Sequence, residues 1–384
     1  MDAIWTIWKK AKGVIENTDL IVLFLEKATI LRVVRSIGGI RVAKKKIGNQ
    51  SLYFENAPYF IGWGNIVGKK EGEGPLGEYF DQIVEDAMYG GENWEEAEGN
   101  LQKKAAEIAL QRAGVTPKEV GYLVAGDLQA QLTASTFGIM QMEIPMFGVY
   151  GACSTMGESL GLASILVESN CSDIVMALTS SHTEVAERQF RFPLPYGNQK
   201  PLCATWTVTG SGAVILGKQK RGKGPYIRVR GITTGKIVDY GLKDSMNMGA
   251  CMAPAACQVI ASHFEDFQAE PKDYDKVITG DLGYVGQRIL LDMLREKNMD
   301  LEKLHMDCGI EIYANRKQDV HAGGSGCGCS ATVLTGYIVQ QFLKKKWKRV
   351  LFVPTGALLS KVSYNEGKTV PGIAHGVLLE REDA

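Results

Sequence analysis

The chain contains a long-range internal repeat. Residues 117–128 read PKEVGYLVAGDL and residues 271–282 read PKDYDKVITGDL, at a constant offset of 154 positions. Further pairs of similar segments follow in the same order: 153–154 with 329–330, 174–179 with 350–355, and 212–216 with 376–380. These offsets far exceed the period of a solenoid repeat. The pattern therefore predicts a duplicated domain, with two similar halves in one chain.

Short apolar segments alternate with helix-like segments through both halves. Apolar strands without alternation are typical of a sheet covered by helices on both faces, which indicates an α/β fold. A helix is predicted from Trp94 until Gly114, and the other predicted helices are 154–168, 252–267, 286–296 and 329–343. The predicted strands are 122–125, 146–150, 174–179, 276–279, 349–354 and 372–380. We expect the first half to span 42–222 and the second 223–384, with the boundary in the Gly-rich loop 218–224.

The N-terminus differs from the rest of the chain. Residues 1–46 carry ten basic and four acidic residues, and three charged positions interrupt their apolar stretch. This stretch is too short and too charged for a membrane span, and it lacks a signal-peptide cleavage site. We expect residues 1–41 to be an atypical extension. Either the start codon is assigned too early and translation begins near Val42, or the segment is a basic amphipathic helix on a membrane surface.

The composition excludes some classes of function. With 45% apolar residues the chain can bury a large core, and its formal net charge of zero gives no indication of nucleic-acid binding. The eight cysteines form no CxxC pair, and we interpret them as reduced, mostly buried thiols. Because Cys327 and Cys329 have no partners at zinc-finger spacing, no metal site is predicted. No resident cofactor is predicted either.

Cys153 is the strongest candidate for a functional residue. It follows a strand and the small residues Gly151 and Ala152, and it begins a helix. A thiol at a helix N-terminus meets backbone N–H donors and the positive end of the helix dipole, which should favour the thiolate. The alternative is a small buried cysteine that only packs. Cys329 begins the corresponding helix of the second half, so we expect both thiols to face a shared cavity.

The order of strand, GACS and buried helix, followed by a second copy, resembles the thiolase superfamily. The resemblance implies two pseudo-symmetric βαβ halves in a five-layer αβαβα sandwich. It also implies a nucleophilic role for Cys153 and a homodimer.

Longer motifs resemble the stage V sporulation protein AD family, from about residue 42 to the end. These motifs lie at 73–77, 93–95, 125–128, 151–155, 179–182, 186–191, 207–213, 323–327, 355–360 and 373–376. The resemblance implies a component of the machinery that takes up dipicolinic acid (pyridine-2,6-dicarboxylate) during sporulation. The protein would lie at the inner membrane of the developing spore, with membrane-embedded sporulation proteins as partners. Ca²⁺ would enter only in complex with the ligand.

The residues also bear on whether the chain is an enzyme. Claisen chemistry needs His or Asn partners for the nucleophile. The turn 279–282, where the related synthases carry a histidine, reads TGDL, and the stretch 322–328 has Gly-Gly where thiolases have His-Pro. His321 is displaced and is better interpreted as a loop residue. The nucleophile position therefore remains while its partners are missing, which favours a pocket kept for binding.

A planar dianion needs cationic or N–H donors and a flat wall. Arg188 and Arg191 flank Phe190 and suit carboxylates, although pairing with Glu184 or Glu187 is an equally good interpretation of the two arginines. The other predicted ligand contacts follow strands or begin helices: Cys153, Ser154, Ser181, His182, Gly323, Gly324, Ser325, Thr355 and His375. His375 is equally compatible with a structural role. The leading hypothesis is a dipicolinate-binding protein without turnover. The alternatives are an acyltransferase of the β-ketoacyl synthase type that uses Cys153, and a scaffold with a vestigial pocket.

Overall fold

The computed structural model describes residues 46–190 and 200–383. The predicted extension 1–41 and Arg191 lie outside these residues, so both remain predictions. The strands are β1 Lys46–Ile47, β2 Ser51–Tyr53, β3 Tyr59–Gly68, β4 Ile83–Val84, β5 Tyr122–Gly126, β6 Met146–Gly148, β7 Ile174–Ser181, β8 Trp206–Thr207, β9 Gly210–Gly217, β10 Tyr226–Thr233, β11 Lys276–Thr279, β12 His305–Asp307, β13 Gly324–Ser325, β14 Arg349–Val353, β15 Thr355–Ala357, β16 Gly372–Ala374 and β17 Gly376–Glu382.

The helices alternate with the strands in both halves. They are α1 Lys69–Gly72, α2 Trp94–Ala113, α3 Thr133–Ile139, α4 Thr155–Glu168, α5 Thr183–Phe190, α6 Met248–Asp266, α7 Gly283–Glu296, α8 Cys308–Glu311, α9 Asn315–Gln318, α10 Cys327–Val333, α11 Val339–Leu343 and α12 Lys361–Asn365. A π-helical turn, Leu334–Ile338, joins α10 to α11. Asn93 begins α2 by accepting a hydrogen bond from the backbone N–H of Glu96, and Gly114 ends it in the left-handed conformation, as the sequence predicts.

The two halves share one sheet topology. In the first half the strand order is β6-β5-β7-β9-β3, and in the second it is β12-β11-β14-β17-β10. In both, the first three strands are parallel and the fourth is antiparallel to its neighbours. The repeated segments fall on equivalent strands: β5 matches β11, β7 matches β14, and β9 matches β17. The duplication predicted from sequence is confirmed.

Helices form layers on and between the sheets. Helices α2 and α3 pack on first-half strands, α6 packs on second-half strands with α7 against it, and α4 and α10 contact each other between the halves. The largest core cluster lies in this middle layer and includes Met156 and Leu160 of α4 with Val175 of β7 and Phe352 of β14. Five alternating layers result, and they fix the N-terminal ends of α4 and α10 in the interior.

One predicted strand differs from the structure, and the predicted boundary between the two halves stays a prediction. The predicted strand 372–380 is two strands, because the chain breaks at His375 and β16 pairs with β15 rather than with the main sheet. The predicted boundary between residues 222 and 223 lies in the connection from β9 to β10 and stays a prediction. Within residues 46–190 and 200–383, no helix has the length and apolar character needed to cross a membrane.

Candidate functional site

Cys153 lies in a constrained turn at the start of α4. Residues Ala152–Ser154 form one 3₁₀ turn, and Ala152 adopts a φ of 50°, which is unfavourable for a residue with a Cβ. Strand β15 packs directly on this turn. A Cβ on Gly356 would lie 2.3 Å from the carbonyl oxygen of Gly151 and 3.0 Å from the backbone nitrogen of Ser154. The turn is therefore held by contacts that leave no room for a side chain.

A cavity that is partly open to solvent lies beside Cys153, with about 420 Å³ of empty space including its solvent-filled mouth. Its walls are mostly apolar and come from both halves: Leu128, Ala186, Phe190, Met248, Ala357 and Leu359. Tyr150, Thr207 and Ser325 supply the polar positions beside the thiol. None of the described lining residues is basic. The cavity thus offers flat apolar surface and few charges.

Asp281 is fully buried behind Cys153. Its carboxylate accepts hydrogen bonds from Thr355 Oγ1 at 2.7 Å and from the backbone N–H of Gly326 at 3.0 Å. The thiol of Cys153 lies close enough to this carboxylate for each group to shift the pKa of the other. Burial raises the pKa of Asp281 to about 7, against the hydrogen bonds from Thr355 and Cys153, which lower it. A buried carboxyl group therefore occupies the turn 279–282, next to the thiol.

The Cys153 thiol is held in its protonated form. Burial raises the pKa of Cys153 well above its ordinary value, and the charge of Asp281 and the neighbouring Cys327 raise it further. The hydrogen bond from the backbone of Gly326 acts in the opposite direction but does not prevail. The expectation that the helix N-terminus favours a thiolate is therefore wrong, because desolvation and a neighbouring acid outweigh the helix dipole.

The second thiol near the cavity is Cys327, not Cys329. Cys327 clusters with Leu128, Cys153 and Ala186, and its Sγ donates to the carbonyl oxygen of Ser180 at 2.9 Å. Cys329 packs in the main core, and its Sγ lies 3.5 Å from the carbonyl oxygen of Gly280. The shared cavity expected for Cys153 and Cys329 is therefore not formed, because the second-half helix begins at Cys327 and turns Cys329 into the core.

A buried polar network lies on the first-half side of the cavity. Asp127, which corresponds to Asp281 in the repeat, accepts hydrogen bonds from the Ser135 hydroxyl and from backbone N–H groups. Glu98 accepts from Ser180 Oγ at 2.7 Å and from Gln129 Nε2 at 2.8 Å. Burial and the charge of Asp127 raise the pKa of Glu98 to about 7. Both halves thus bury an acid near the two thiols.

Several predicted ligand contacts have structural partners instead. Ser154 Oγ donates to Gly151, and Ser181 Oγ donates to Val208 while accepting from the backbone of Gly328. Gly323 and Gly324 hold strand β8 through hydrogen bonds around Trp206. Thr355 holds Asp281. Among the described residues that were predicted as ligand contacts in addition to Cys153, only Ser325 lines the cavity.

Of the two predicted arginine contacts, only Arg188 belongs to the described residues, and it lies elsewhere. Arg188 is exposed, forms an ion pair with Glu95 and lies 5.9 Å from the ring centroid of Trp94. Arg188 therefore points away from the cavity, although Phe190 lines it.

The two predicted histidines also lie outside the cavity. His182 Nδ1 pairs with Glu184 at 3.0 Å and its Nε2 contacts the carbonyl oxygen of Ala87. Burial lowers the pKa of His182, but these contacts outweigh it and raise the pKa. His375 lines a different cavity, on the side of α4 at Gly157 and Gly161, and burial lowers its pKa to about 4. Neither imidazole is placed to exchange a proton with the Cys153 thiol.

The sequence analysis missed Asp281 as a site residue. The sequence of the TGDL turn indicates only that a histidine is missing. The repeat, however, aligns Asp127 with Asp281 at the ends of equivalent strands. Asp307 is a further buried acid nearby, but it caps α8 and accepts from Thr279 Oγ1 at 2.6 Å. Within the described residues, no group of three or more His, Cys, Asp or Glu side chains is arranged to hold a metal ion.

Comparison with known proteins places this geometry in a family. A model of the stage V sporulation protein AD family matches residues 48–380. Stage V sporulation protein AD of Bacillus subtilis (strain 168) is 42% identical over 337 residues, which cover 88% of this chain and 98% of that protein. The family match extends across the Cys153 turn, the Asp281 turn and strand β15.

Solved structures show the same fold at low identity. A single-residue variant of Xanthomonas campestris OleA superposes with a TM-score of 0.57 at 12% identity and covers 85% of this chain and 97% of its own. 3-Oxoacyl-[acyl-carrier-protein] synthase III from Aquifex aeolicus VF5 has a TM-score of 0.51 at 15% identity, over 84% of this chain and 99% of its own. The fold is thus the thiolase-like α/β fold, and the chain belongs to the stage V sporulation protein AD family.

Proposed function

We propose that the chain acts in sporulation as a binding protein for dipicolinic acid, which it holds in the Cys153 cavity without turning it over. Family membership supports the role in sporulation. One observation supports binding over catalysis: burial and the neighbouring Asp281 carboxyl group raise the pKa of the Cys153 thiol, which keeps it protonated. A protonated thiol is a poor nucleophile.

The charges around the cavity favour an uncharged form of the ligand. No basic side chain belongs to the described lining, and Asp281 lies immediately behind the thiol. Burying a dianion without a cationic partner is costly. The 1:1 complex of Ca²⁺ with dipicolinate carries no net charge, and its flat ring suits walls built from Phe190, Met248 and Leu359. We therefore expect tighter binding in the presence of Ca²⁺.

We further infer that the protein acts as a homodimer at the inner membrane of the developing spore, with membrane-embedded sporulation proteins as partners. Strand β6 is the edge of the first-half sheet, and all three of its residues are exposed. Phe137 and Met140 extend this apolar surface. An exposed apolar sheet edge is a ready site for pairing with an identical strand.

Titration calorimetry with dipicolinate, with and without equimolar Ca²⁺, tests the binding. Leu359→Trp should fill the cavity and weaken binding at least tenfold, whereas Arg188→Gln, outside the cavity, should leave it unchanged. Cys153→Ala removes the thiol and should change affinity without abolishing binding. Absence of heat and of competition at millimolar ligand would remove the proposal. Such a result would favour a scaffold whose pocket is vestigial.

Acyl transfer is the second candidate, and one observation favours it. Asp281, with its pKa raised to about 7, adjoins the thiol and is a candidate to accept its proton. In that reaction the proton of Cys153 would pass to Asp281, the sulfur would form a bond to the thioester carbonyl carbon, and the bond from that carbon to the coenzyme A sulfur would break. Coenzyme A would leave as a thiol after taking the proton from Asp281. Incubation with acyl-CoA esters of several chain lengths, followed by intact-mass measurement, separates the two functions. A stable adduct that is absent in Cys153→Ala supports transfer, and no adduct with any ester supports binding.

A further inference from the structure

The connection between α11 and β14 is the most basic exposed segment of the described chain. It reads KKKWKR over residues 344–349, and all four lysines are exposed. Trp347 anchors the segment, with its ring 5.8 Å from that of Tyr337 in an edge-on contact. Lys345 adopts a φ of 58°, which turns the chain sharply at the end of the helix. The lysines are therefore exposed on a sharp corner of the chain, and Trp347 holds this corner in place.

A groove of about 790 Å³ continues from this corner. Lys348, Arg349, Arg381, Arg228 and Lys272 are its basic lining residues. The backbone around it is tied in place. The Arg381 side chain donates to the carbonyl oxygen of Trp347 at 2.7 Å, and the Arg381 backbone N–H donates to that of Lys348 at 2.8 Å. The basic residues of the corner and of the groove thus form one continuous surface.

The acids nearby neutralise only the groove part of this surface. Asp273, Asp275 and Glu380 also line the groove, Lys272 pairs with Glu270, and Arg381 pairs with Asp383. Glu380 is shared by Arg228, Arg230 and Arg349, at 3.4, 3.0 and 3.6 Å. Asp275 accepts from the backbone N–H groups of Lys348 and Arg349, at 2.6 and 2.8 Å. No described carboxylate forms a salt bridge with Lys345, Lys346 or Lys348.

Positive charge is concentrated in this basic segment, although residues 47–384 as a whole carry a net negative charge. Residues 320–365 contain no Asp or Glu, whereas residues 47–384 as a whole hold 33 basic and 39 acidic residues. The basic segment is therefore a local reversal of charge on a body that is negative overall. Such a reversal attracts anionic partners over a Debye length of roughly 10 Å.

We propose that the exposed lysines of this basic surface, Lys344, Lys345, Lys346 and Lys348, dock the protein on an anionic lipid surface by contacting phosphate headgroups. Two features favour lipid over an acidic protein. Specific protein interfaces have an apolar, often aromatic centre, yet no residue of this surface is among the exposed large apolar residues of the described chain. Its exposed tip is made of lysines, which are mobile point charges suited to a laterally fluid layer of phosphates.

Cosedimentation of the full chain with lipid vesicles tests this surface. Vesicles of phosphatidylcholine with about 30% phosphatidylglycerol are compared with phosphatidylcholine alone, at about 0.1 M and about 0.5 M NaCl, since screening separates ionic from apolar attachment. The test variant is Lys344→Gln/Lys345→Gln/Lys346→Gln/Lys348→Gln. The control variant removes the same charge elsewhere on the exposed surface: Lys118→Gln/Lys223→Gln/Lys297→Gln/Lys317→Gln. Because both variants keep the basic N-terminus, its contribution cancels.

We expect the test variant to bind anionic vesicles at least tenfold more weakly than the control variant, with little binding of either at the higher salt concentration. Thermal unfolding of both variants confirms that they fold. Equal binding by the two variants overturns the proposal. Retention of both by phosphatidylcholine alone also overturns it, because attachment would then be apolar. Equal vesicle binding combined with selective loss of binding to a polyglutamate peptide would assign the surface to an acidic protein instead.

Discussion

The thiol of Cys153 and the carboxyl group of Asp281 adjoin each other across the two halves of the fold. Cys153 begins the central helix of the first half, and Asp281 follows the second strand of the second half. The charge of Asp281 raises the pKa of the thiol, and the thiol lowers the pKa of the carboxyl group. The pair therefore controls both the reactivity of the thiol and the charge that a ligand meets in the cavity.

Removing this acid should make the thiol more reactive. In Asp281→Asn the negative charge that raises the pKa of Cys153 is absent, so the thiolate is more populated at a given pH. We expect alkylation of Cys153 by iodoacetamide at about pH 8 to become at least threefold faster, measured by peptide mass spectrometry. Asp127→Asn, the corresponding change in the other half, serves as the control. An equal acceleration in both variants would indicate general loosening.

The same acid predicts a pH dependence of stability. The pKa of Asp281 is raised from 3.8 to about 7, so between these values the folded state keeps a proton that the unfolded state has released. The folded state then binds more protons, and the free energy of unfolding falls as the pH rises from about 4 to about 7, by at most about 4 kcal/mol. Urea unfolding across this range should show a shallower decline in Asp281→Asn. Glu98, whose pKa is also raised to about 7, maintains part of the slope.

The fold could be predicted from sequence because its signals are local or repeated. The segments that recur at constant offsets are strands β5, β7 and β9 and their counterparts β11, β14 and β17, which lie at matching places in the sheet. The strand 276–279 was predicted at its observed bounds. The break at His375 was not predicted, because the apolar pattern continues through it while pairing changes from β15 to β14.

The site was harder to predict because it depends on contacts between distant segments. The helix dipole acting on Cys153 is a local property, but the burial and the acid that outweigh it come from the other half. Arg188 lies on the same helix as the cavity residue Ala186. Because it lies on a different face of that helix, it pairs with Glu95 and does not reach the cavity. The direction in which a side chain points at the end of a strand or helix is set by packing that the sequence pattern does not contain.

The tight packing of β15 on the Cys153 turn predicts a position-specific glycine effect. A Cβ at residue 356 would lie 2.3 Å from a backbone oxygen, so Gly356→Ala must displace either the strand or the turn. We expect a loss of several kcal/mol in the free energy of unfolding and loss of dipicolinate binding. Gly161→Ala, in α4, meets only Ile232 at an ordinary 3.6 Å and should change stability by less than about 1 kcal/mol. Urea titration of both variants measures the difference, and equal costs would contradict this description of the turn.

The edge strand β6 predicts how two copies associate. Phe147 is 50% exposed in this strand and Phe137 is 66% exposed on the adjacent helix α3, so an isologous interface would bury both against their own copies. A single Phe147→Asp change places two like charges close together at the two-fold axis and leaves both desolvated. We expect the wild type to sediment as a dimer at micromolar concentration and Phe147→Asp as a monomer. Leu202→Asp replaces an 83% exposed apolar residue outside this strand and should leave the dimer intact. A wild type that sediments as a monomer, or a Phe147→Asp variant that remains a dimer, would show that β6 is not the contact.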